Sequence, residues 1–401
     1  MFFPKFRVYY LVLTLYIYFS LFDRFYVVFP VKEIIKKSVQ AKIEDRRYLL
    51  TVAMESPLQK RLLERLLSFE KKDLQICDVV LLPDFFVDHF LSLQNIETLN
   101  TTVRSVVAHG GGNITGIPQQ IQQGGNAANT ALALARLGMT SHLICRTSLF
   151  GYHLLQFFLG RYGVDLSGVK IDGDLAITTA LEFQADHANV MLGDPGSVAT
   201  FQFEALTEHD LERIAHAQLV GVTNWNLNRY GTSLAEQVFE YAKQHNVKTF
   251  FDSGDPTPRL HDIPEMINKV LTNSNLDIFG LNENELQQYS NNSYTTQEEM
   301  IQAAKNFKRK IPARVDFHTS QFSCSIQRTT TIIPTIPQPR VIRFTGAGDA
   351  WNAANLFADL LNFADDERLL FANIFAGMYI SSPEPIHPTI DMVINSIKKT
   401  L

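Results

Sequence analysis

From residue 77 onward, short apolar runs that favour strands alternate with longer segments that favour helices. Val79–Leu82 and Leu219–Val222 are continuously apolar, which is the pattern of strands buried on both faces. Lys248–Asp252 and Asp277–Leu281 follow later, and helical segments such as Ser233–Asn246 lie between such runs. Because strands that alternate with helices assemble into parallel sheets, this order predicts an α/β fold with helices on both faces of a mainly parallel sheet.

The composition fits a chain with a large core and excludes several functional classes. Hydrophobic residues make up 46% and charged residues 19%, so wholesale disorder is excluded. The net charge is −5 and no basic stripe runs along the chain, so nucleic acid is not an expected partner. Cys77, Cys145 and Cys324 lack paired spacing, which predicts free thiols in a cytoplasmic protein rather than a zinc or disulfide framework.

The first residues are unusual, because Val8–Phe22 is almost entirely apolar and aromatic. That run is shorter than the roughly 20 residues of a membrane-spanning helix, and no signal-peptide cleavage site is evident. Three interpretations stay open for residues 1–31: a membrane-touching anchor, an appended structural segment, or sequence translated upstream of the true start. Residues 32–75 are predicted as a helical arm, since leucines recur there at helical spacing, and the main domain is expected over 76–401.

The strongest chemical signal is the sequence TGAGD at positions 345–349. Gly346, Ala347 and Gly348 let the backbone approach a ligand, and a helix with an apolar face follows at once. Free N–H groups at a helix start attract anions such as a phosphoryl group in transfer. Asp349 can accept a proton from an attacking hydroxyl. The same segment also fits an ordinary helix start with a favourable first-turn charge.

A second glycine-rich helix start has the sequence GGNAAN at 124–129. Gly124 and Gly125 can present backbone to a polyol, and Asn129 can both donate to and accept from its hydroxyls. Asp88 lies just past the first buried strand, where ligands of open α/β sheets bind. Taken alone, each of these segments also fits a capped turn.

A third candidate site follows the predicted strand Asp277–Leu281. Asn282 and Glu285 stand at that strand end, and Mg²⁺ favours a few carboxylates together with several waters. The pair therefore predicts a place for hydrated magnesium. A helix N-cap with first-turn acidic residues is an equally simple interpretation, and the two roles are compatible.

Taken together, GGNAANTA at 124–131 and TGAGD at 345–349 resemble the two motifs of the ribokinase-like (PfkB) carbohydrate kinases, in a branch similar to some archaeal members. Asp88 looks like the family's sugar-contacting aspartate, and Asn282 with Glu285 matches its Asn-x-x-Glu element. The resemblance covers about residues 77–401. It implies a three-layer α/β/α ribokinase-like fold with a mainly parallel central sheet and a small β lid near 92–120 and 176–195.

The resemblance also implies a reaction, in which ATP with Mg²⁺ phosphorylates a hydroxyl, usually a hydroxymethyl group, on a sugar or sugar-like molecule. The implied base is Asp349, and the implied anion hole is formed by Gly346, Ala347 and Gly348. Substrate contacts are expected from Asp88, Gly124, Gly125 and Asn129. Nucleotide contacts are expected from Asn282, Glu285 and Asn373, with Glu285 reaching Mg²⁺ through water.

The chain departs from the family pattern at three places. Residues 146–151 (RTSLFG) replace the family's Gly-Asp-Asp before the second lid strand. Arg343 and Phe344 replace an Asp-Thr pair that often precedes the first motif glycine, and residues 318–320 (HTS) stand where the family has a Thr-x-Gly nucleotide loop. Two alternatives therefore stay open beside the sugar kinase: a nucleoside kinase on the same fold, and a non-catalytic regulatory protein that binds sugar or nucleotide. A homodimer formed through the exposed lid is a further expectation.

Overall fold

The computed structural model describes residues 57–69, 77–186, 188–343 and 345–401. The expectations for residues 1–31 and for most of the arm at 32–75 lie outside these ranges. Residues 57–401 form one compact unit. Among the described residues, no helix has the length and apolar character to cross a membrane.

The strands fall into a large sheet, a small sheet and a short two-stranded pair. In chain order they are β1 (Asp78–Leu82), β2 (Phe86–Leu93), β3 (Gln119–Gly124), β4 (Thr140–Leu143), β5 (Cys145–Arg146), β6 (Val169–Lys170), β7 (Ala176–Phe183), β8 (Ala188–Asp194), β9 (Leu219–Val222), β10 (Lys248–Phe251), β11 (Ile278–Asn282), β12 (Arg314–His318), β13 (Phe322–Ile326) and β14 (Thr330–Pro334).

The helices that alternate with these strands begin with α1 at 57–67. The others are α2 (Ile96–Ala108), α3 (Asn126–Leu137), α4 (Leu149–Phe158), α5 (Glu208–His216), α6 (Gly231–Gln244), α7 (Ile263–Met266), α8 (Glu283–Ser290), α9 (Gln297–Lys308), α10 (Ala347–Leu360), α11 (Asp365–Ser381) and α12 (Ile390–Thr400).

The large sheet has the strand order β14-β13-β12-β11-β10-β9-β1-β4. Six adjacent strands, β12, β11, β10, β9, β1 and β4, run parallel to one another. Strand β13 pairs antiparallel with both β12 and β14. Side chains of β1 alternate between two cores: Val79 and Leu81 face one apolar cluster, while Val80 and Leu82 face the other. Helices cover both faces, which confirms the predicted three-layer α/β/α fold.

The small sheet has the order β3-β2-β7-β8 and corresponds to the expected lid. The predicted stretch 176–195 holds β7 and β8, whereas the predicted stretch 92–120 contains the helix α2 and the ends of two strands. The other two strands of the sheet are β2 (Phe86–Leu93) and β3 (Gln119–Gly124). Both lie mainly outside the predicted stretch 92–120. The first boundary of the lid therefore moves to residue 86, because the strand that carries Asp88 is itself part of the sheet.

Helix α2 connects β2 to β3 along the chain. The polar residues before Gly110 are helical, and Asn95 caps the helix by accepting a hydrogen bond from the Thr98 N–H at 2.7 Å. No residue of α2 is buried. Its composition therefore resembled that of a loop, although the first glycine comes only after the helix ends.

Helix α1 is the described part of the predicted arm. Leu62 and Leu66 are buried in the core cluster that includes α10 and α11. Arg61 donates to Glu367 at 2.9 Å and also pairs with Asp366. The leucine spacing thus predicted a packed helix correctly for these residues.

A buried ion-pair network joins β12 to α10 and α11. Arg368 is 1% exposed and donates to Asp316 at 3.0 Å and to Ser325 at 2.8 Å. Burial alone would raise the pKa of Asp316, but the charges of Arg314 and Arg368 outweigh burial and lower it. Asn355 of α10 donates to the same carboxylate at 2.8 Å. The network fixes α10 against the sheet.

We expect the Arg368→Met substitution to lower the free energy of unfolding by about 3 kcal/mol, since it leaves Asp316 less completely paired in the core. Urea denaturation followed by circular dichroism measures this loss. Arg104→Met is the matched control, because Arg104 is exposed and bonds only Asn100 within the same helix. Equal urea midpoints for the two variants would contradict a stabilising role for the network.

Candidate active site

The glycine loop at 345–348 leads directly into α10, as the sequence predicted. Gly346 has a φ of 78°, a left-handed conformation that favours glycine. Helix α10 begins at Ala347, which places Asp349 in its first turn with 9% of its surface exposed. The unpaired N–H groups of this helix start and the carboxylate of Asp349 therefore belong to one short segment.

Asn129 connects this segment to the second predicted motif. Its amide nitrogen donates a hydrogen bond to Oδ2 of Asp349 at 2.9 Å, and both side chains are buried. Gly125 precedes α3 with a φ of 95°, and a Cβ at that position would lie 2.8 Å from Oδ2 of Asp84. Close backbone packing at the second motif thus requires glycine. The two motifs, which are 220 residues apart, meet at Asp349.

Asp88 lies on β2 beside Gly124 on β3. A Cβ on Gly124 would lie 2.3 Å from the Asp88 carboxylate, so only glycine leaves room for it. Burial raises the pKa of Asp88 to about 6, although a hydrogen bond from Thr178 works against this shift. The charge of Asp88 in turn raises the pKa of Asp349. The structure therefore brings Asp88, Gly124, Gly125 and Asn129 together around Asp349.

Sequence reasoning missed Asp84, which organises the strand ends behind these residues. Its carboxylate is fully buried and accepts hydrogen bonds from the Ala127 N–H at 3.0 Å, Thr223 Oγ1 at 3.0 Å and Asn224 Nδ2 at 2.9 Å. Burial raises its pKa, and these donors oppose the shift. The only signal in the sequence was an aspartate directly after a buried strand.

Asp252 is a second buried carboxylate that was not singled out. It follows β10 and accepts hydrogen bonds from the Gly254 N–H at 2.8 Å and from Asn352 Nδ2 at 2.5 Å. Asn352 lies one turn after Asp349 on α10. Asp252 thereby connects the carboxyl end of a parallel strand to the helix that carries Asp349.

Burial raises the pKa of Asp349 well above the ordinary value for an aspartate. The hydrogen bond from Asn129 opposes this shift, while the charges of Asp252, Asp84 and Asp88 add to it. A carboxylate with a raised pKa holds a proton more firmly, and a general base works best when its pKa approaches the working pH. The site therefore has the electrostatic character expected of a base.

Asn282 and Glu285 form a capping box at the start of α8. Asn282 accepts from the Glu285 N–H at 3.0 Å, and its own N–H donates to Glu285 Oε2 at 2.9 Å. Glu285 is 3% exposed, and burial followed by the charge of Asp252 raises its pKa well above the ordinary value. A nearby cation would relieve this repulsion, so the donor set fits magnesium held through water. Among the described residues, no group of three or more metal-ligating side chains is arranged to hold a metal directly.

Asn373, predicted to lie near the adenine, also has structural partners. It is buried, accepts from Trp351 Nε1 at 2.9 Å and donates to the Pro334 carbonyl at 3.1 Å. Its amide thus connects α10 and α11 to β14. The contact with a nucleotide stays a prediction.

Two of the departures from the family pattern, at Arg343 and at residues 318–320, have structural roles. Arg343 donates to the carbonyl oxygens of Glu384 at 2.7 Å and Pro383 at 3.0 Å. His318 stacks on Trp351 with ring centroids 4.7 Å apart and lies beside Gly348. Burial lowers the pKa of His318 to about 4, so the ring is neutral at pH 7. Thr319 accepts hydrogen bonds from the N–H groups of the turn that follows β12.

The model of the pfkB family carbohydrate kinases matches residues 99–392, which is most of the chain. This chain belongs to the pfkB family of carbohydrate kinases. A curated relative, 5-dehydro-2-deoxygluconokinase from Geobacillus thermodenitrificans (strain NG80-2), is 26% identical over 289 residues, covering 67% of this chain and 82% of the relative. The chain is accordingly an enzyme of the sugar and nucleoside kinase class.

Solved structures of this family show the same fold at low identity. A ribokinase from Arabidopsis thaliana is 22% identical with a TM-score of 0.64, and the match covers 80% of this chain and 98% of that one. An adenosine kinase from Sinorhizobium meliloti is 16% identical with a TM-score of 0.65, and the match covers 81% of this chain and 99% of that one. The pfkB chain studied here thus has the ribokinase fold.

Asp349→Asn is expected to stabilise the folded protein at pH 8. The pKa of Asp349 is raised on folding, so above that pKa the ionised side chain lowers the free energy of unfolding. Differential scanning fluorimetry should show an increase in Tm of at least about 2 °C. The difference should shrink towards pH 4, where the folded protein holds Asp349 protonated.

Asp391→Asn is the matched control for this measurement, because Asp391 is an exposed aspartate in the first turn of α12. It should not raise the Tm, since no burial opposes its charge. A lower Tm for Asp349→Asn than for the wild type at pH 8 would contradict the electrostatic cost assigned to Asp349.

Proposed function

We propose that this pfkB enzyme transfers the γ-phosphoryl group of ATP to a hydroxyl, most naturally a hydroxymethyl group, of a sugar or sugar-like molecule. The observation that carries the proposal is the position of Asp349. Its carboxylate lies in the first turn of a helix that follows a glycine loop, with Asn129 bound to it and the Asp88 carboxylate close enough to raise its pKa. A base, an anion-binding backbone and an acceptor-binding carboxylate thus share one site.

In the proposed step, Asp349 takes the proton of the acceptor hydroxyl as the hydroxyl oxygen bonds to the γ-phosphorus. The bond from that phosphorus to the bridging oxygen breaks, and ADP leaves with the electron pair. The N–H groups of Gly346, Ala347 and Gly348 would stabilise charge on the phosphoryl oxygens in transit. The raised pKa of Asp349 supports proton transfer, because it brings the base closer to the working pH.

The acceptor is proposed to bind between the small sheet and α3. Asp88 can accept hydrogen bonds from two hydroxyls, and the absence of a Cβ at Gly124 and Gly125 lets the Asp88 and Asp84 carboxylates pack against the backbone beside the proposed acceptor. Asn129 holds Asp349 and would orient the base towards the acceptor. The small sheet would cover the bound sugar as a lid.

ATP and Mg²⁺ are proposed as the phosphoryl donor and its metal. The A. thaliana ribokinase structure contains ribose and ATP, which supports ATP by analogy only. Asn282 and Glu285 would hold Mg²⁺ through water, and the metal would supply charge neutralisation on the phosphates. The charges of Asp252 and Asp255 contribute to the raised pKa of Glu285, which supports a cation at this edge.

A homodimer is a further proposal for the small sheet. Strand β8 is an edge strand whose residues are all exposed, and Val190, Met191 and Leu192 are apolar. Exposed apolar edges favour pairing with another chain. Sedimentation of the wild type beside Leu192→Lys would test this, since a charge on the edge should favour the monomer.

Phosphoryl transfer should depend on Asp349. The Asp349→Asn variant should lower kcat by about 100- to 10,000-fold with little change in either KM, because the base acts in the transition state. A coupled ADP-release assay across pentoses, hexoses, sugar acids and nucleosides measures this and identifies the acceptor class. Asp391→Asn should match the wild type.

The same panel separates the alternatives. Turnover with nucleosides alone would make this a nucleoside kinase. Binding of sugar or nucleotide with no turnover on any acceptor would favour the regulatory alternative, which the substituted nucleotide loop at 318–320 motivates. Full activity in Asp349→Asn would exclude the proposed mechanism.

Acceptor affinity should depend on the ionisation of Asp88. Since the pKa of Asp88 is raised to about 6, the KM for a neutral acceptor should increase as the pH falls through 6 and the carboxylate becomes protonated. We expect about a tenfold increase, which corresponds to one charge-assisted hydrogen bond. Asp88→Asn should have a high KM at every pH, and a pH-dependent KM in that variant would assign the titration to another group.

A further inference from the structure

Tyr379 is a buried aromatic residue of α11 that the sequence analysis did not single out. Its side chain is 4% exposed, and its hydroxyl lies against the glycine loop. A Cβ built on Gly346 would be 2.8 Å from the hydroxyl oxygen. The hydroxyl therefore occupies the space beside the first glycine of the loop, where only a residue without a side chain leaves room for it.

The ring of Tyr379 is fixed by its neighbours. His387 stacks on it with centroids 4.4 Å apart and an interplanar angle of 8°, and the guanidinium of Arg343 lies 5.4 Å from its centroid. Arg343 also donates to the Tyr379 carbonyl at 3.3 Å. His387 is fully buried, and neither ring nitrogen has a hydrogen-bond partner among the described residues. Its role here is stacking, which orients the tyrosine.

The hydroxyl itself is not used by these contacts. Within the described ranges, no side-chain hydrogen bond involves Tyr379 Oη, although the backbone carbonyl of the residue is bonded to Arg343. Burial raises the pKa of Tyr379 to about 12; the charges of Asp349 and Asp88 add to the shift, and that of Arg343 opposes it. The hydroxyl is therefore protonated at neutral pH and can donate. The hydroxyl lies beside Gly346, three residues before Asp349 in the chain.

We propose that the Tyr379 hydroxyl donates a hydrogen bond to an oxygen of the phosphoryl group in transit, and so adds a side-chain donor to the backbone N–H groups of the glycine loop. This inference rests on the proposed kinase reaction. A donor placed beside a developing charge before the reaction begins stabilises the transition state more than the ground state. Tyr379 would then act on the rate and have little effect on substrate binding.

The Tyr379→Phe variant tests the proposal, because it keeps the ring and its stacking on His387. Removal of one such donor should lower kcat by about 100-fold, with the KM for ATP and for the acceptor changed less than twofold. Binding of Mg·ADP with aluminium fluoride and acceptor, a mimic of the phosphoryl group in transit, should weaken by the same factor. Binding of Mg·ADP alone should not change.

Tyr241→Phe is the matched control, since Tyr241 also packs against a histidine, His245, with centroids 4.5 Å apart and an interplanar angle of 40°. It should retain the wild-type kcat. A wild-type kcat in Tyr379→Phe, with or without a lower Tm, would overturn the inference and leave only a packing role. Absence of transfer by the wild type on every acceptor would overturn the kinase proposal and this inference together, so the two failures are distinguishable.

If Tyr379→Phe does not fold, 3,5-difluorotyrosine at position 379 keeps both ring and hydroxyl and lowers the pKa of the phenol. Loss of the donor by ionisation should then decrease kcat at a lower pH than in the wild type. If kcat decreased at the same alkaline pH in this variant as in the wild type, the proposal would be overturned.

Discussion

Three polar side chains in a row along α10 hold the candidate active site to the rest of the molecule. Asp349, Asn352 and Asn355 are spaced three residues apart, so they lie on neighbouring turns of one face. Asp349 is bound by Asn129 of α3, Asn352 binds Asp252 beyond β10, and Asn355 binds Asp316 of β12. The position of Asp349 is therefore fixed by three separate elements, and the helix cannot shift without breaking buried hydrogen bonds.

The motifs could be predicted from the sequence because each is local. Glycines before a helix and a carboxylate in its first turn are visible in a few consecutive letters, and the structure places Asp349 and Asn129 in contact. Asp84 and Asp252 could not be found in this way, because their importance depends on partners far along the chain, such as Asn224 and Asn352. A single aspartate after a strand has too many ordinary explanations.

The strand and helix alternation predicted the three-layer fold, since continuous apolar runs mark strands buried on both faces. The small sheet was harder to predict, because no residue of α2 is buried and every residue of the edge strand β8 is exposed. The residues of β8 (ANVMLGD) lack the alternation of apolar and polar side chains on which strand predictions depend. For Asn373 the sequence could show the residue but not its partners, Trp351 and the Pro334 carbonyl, which are distant in the chain.

The small sheet is built from three separate segments of the chain, and two of them carry residues of the proposed acceptor site. Strand β2 holds Asp88, and β3 ends at Gly124 directly before α3. Any displacement of this sheet therefore displaces both Asp88 and Gly124. By thermodynamic reciprocity, a ligand that binds Asp88 would restrain the sheet by the same free energy by which a restrained sheet favours that ligand. In the proposed enzyme, occupancy of the acceptor site and the position of the small sheet would thus be one linked equilibrium.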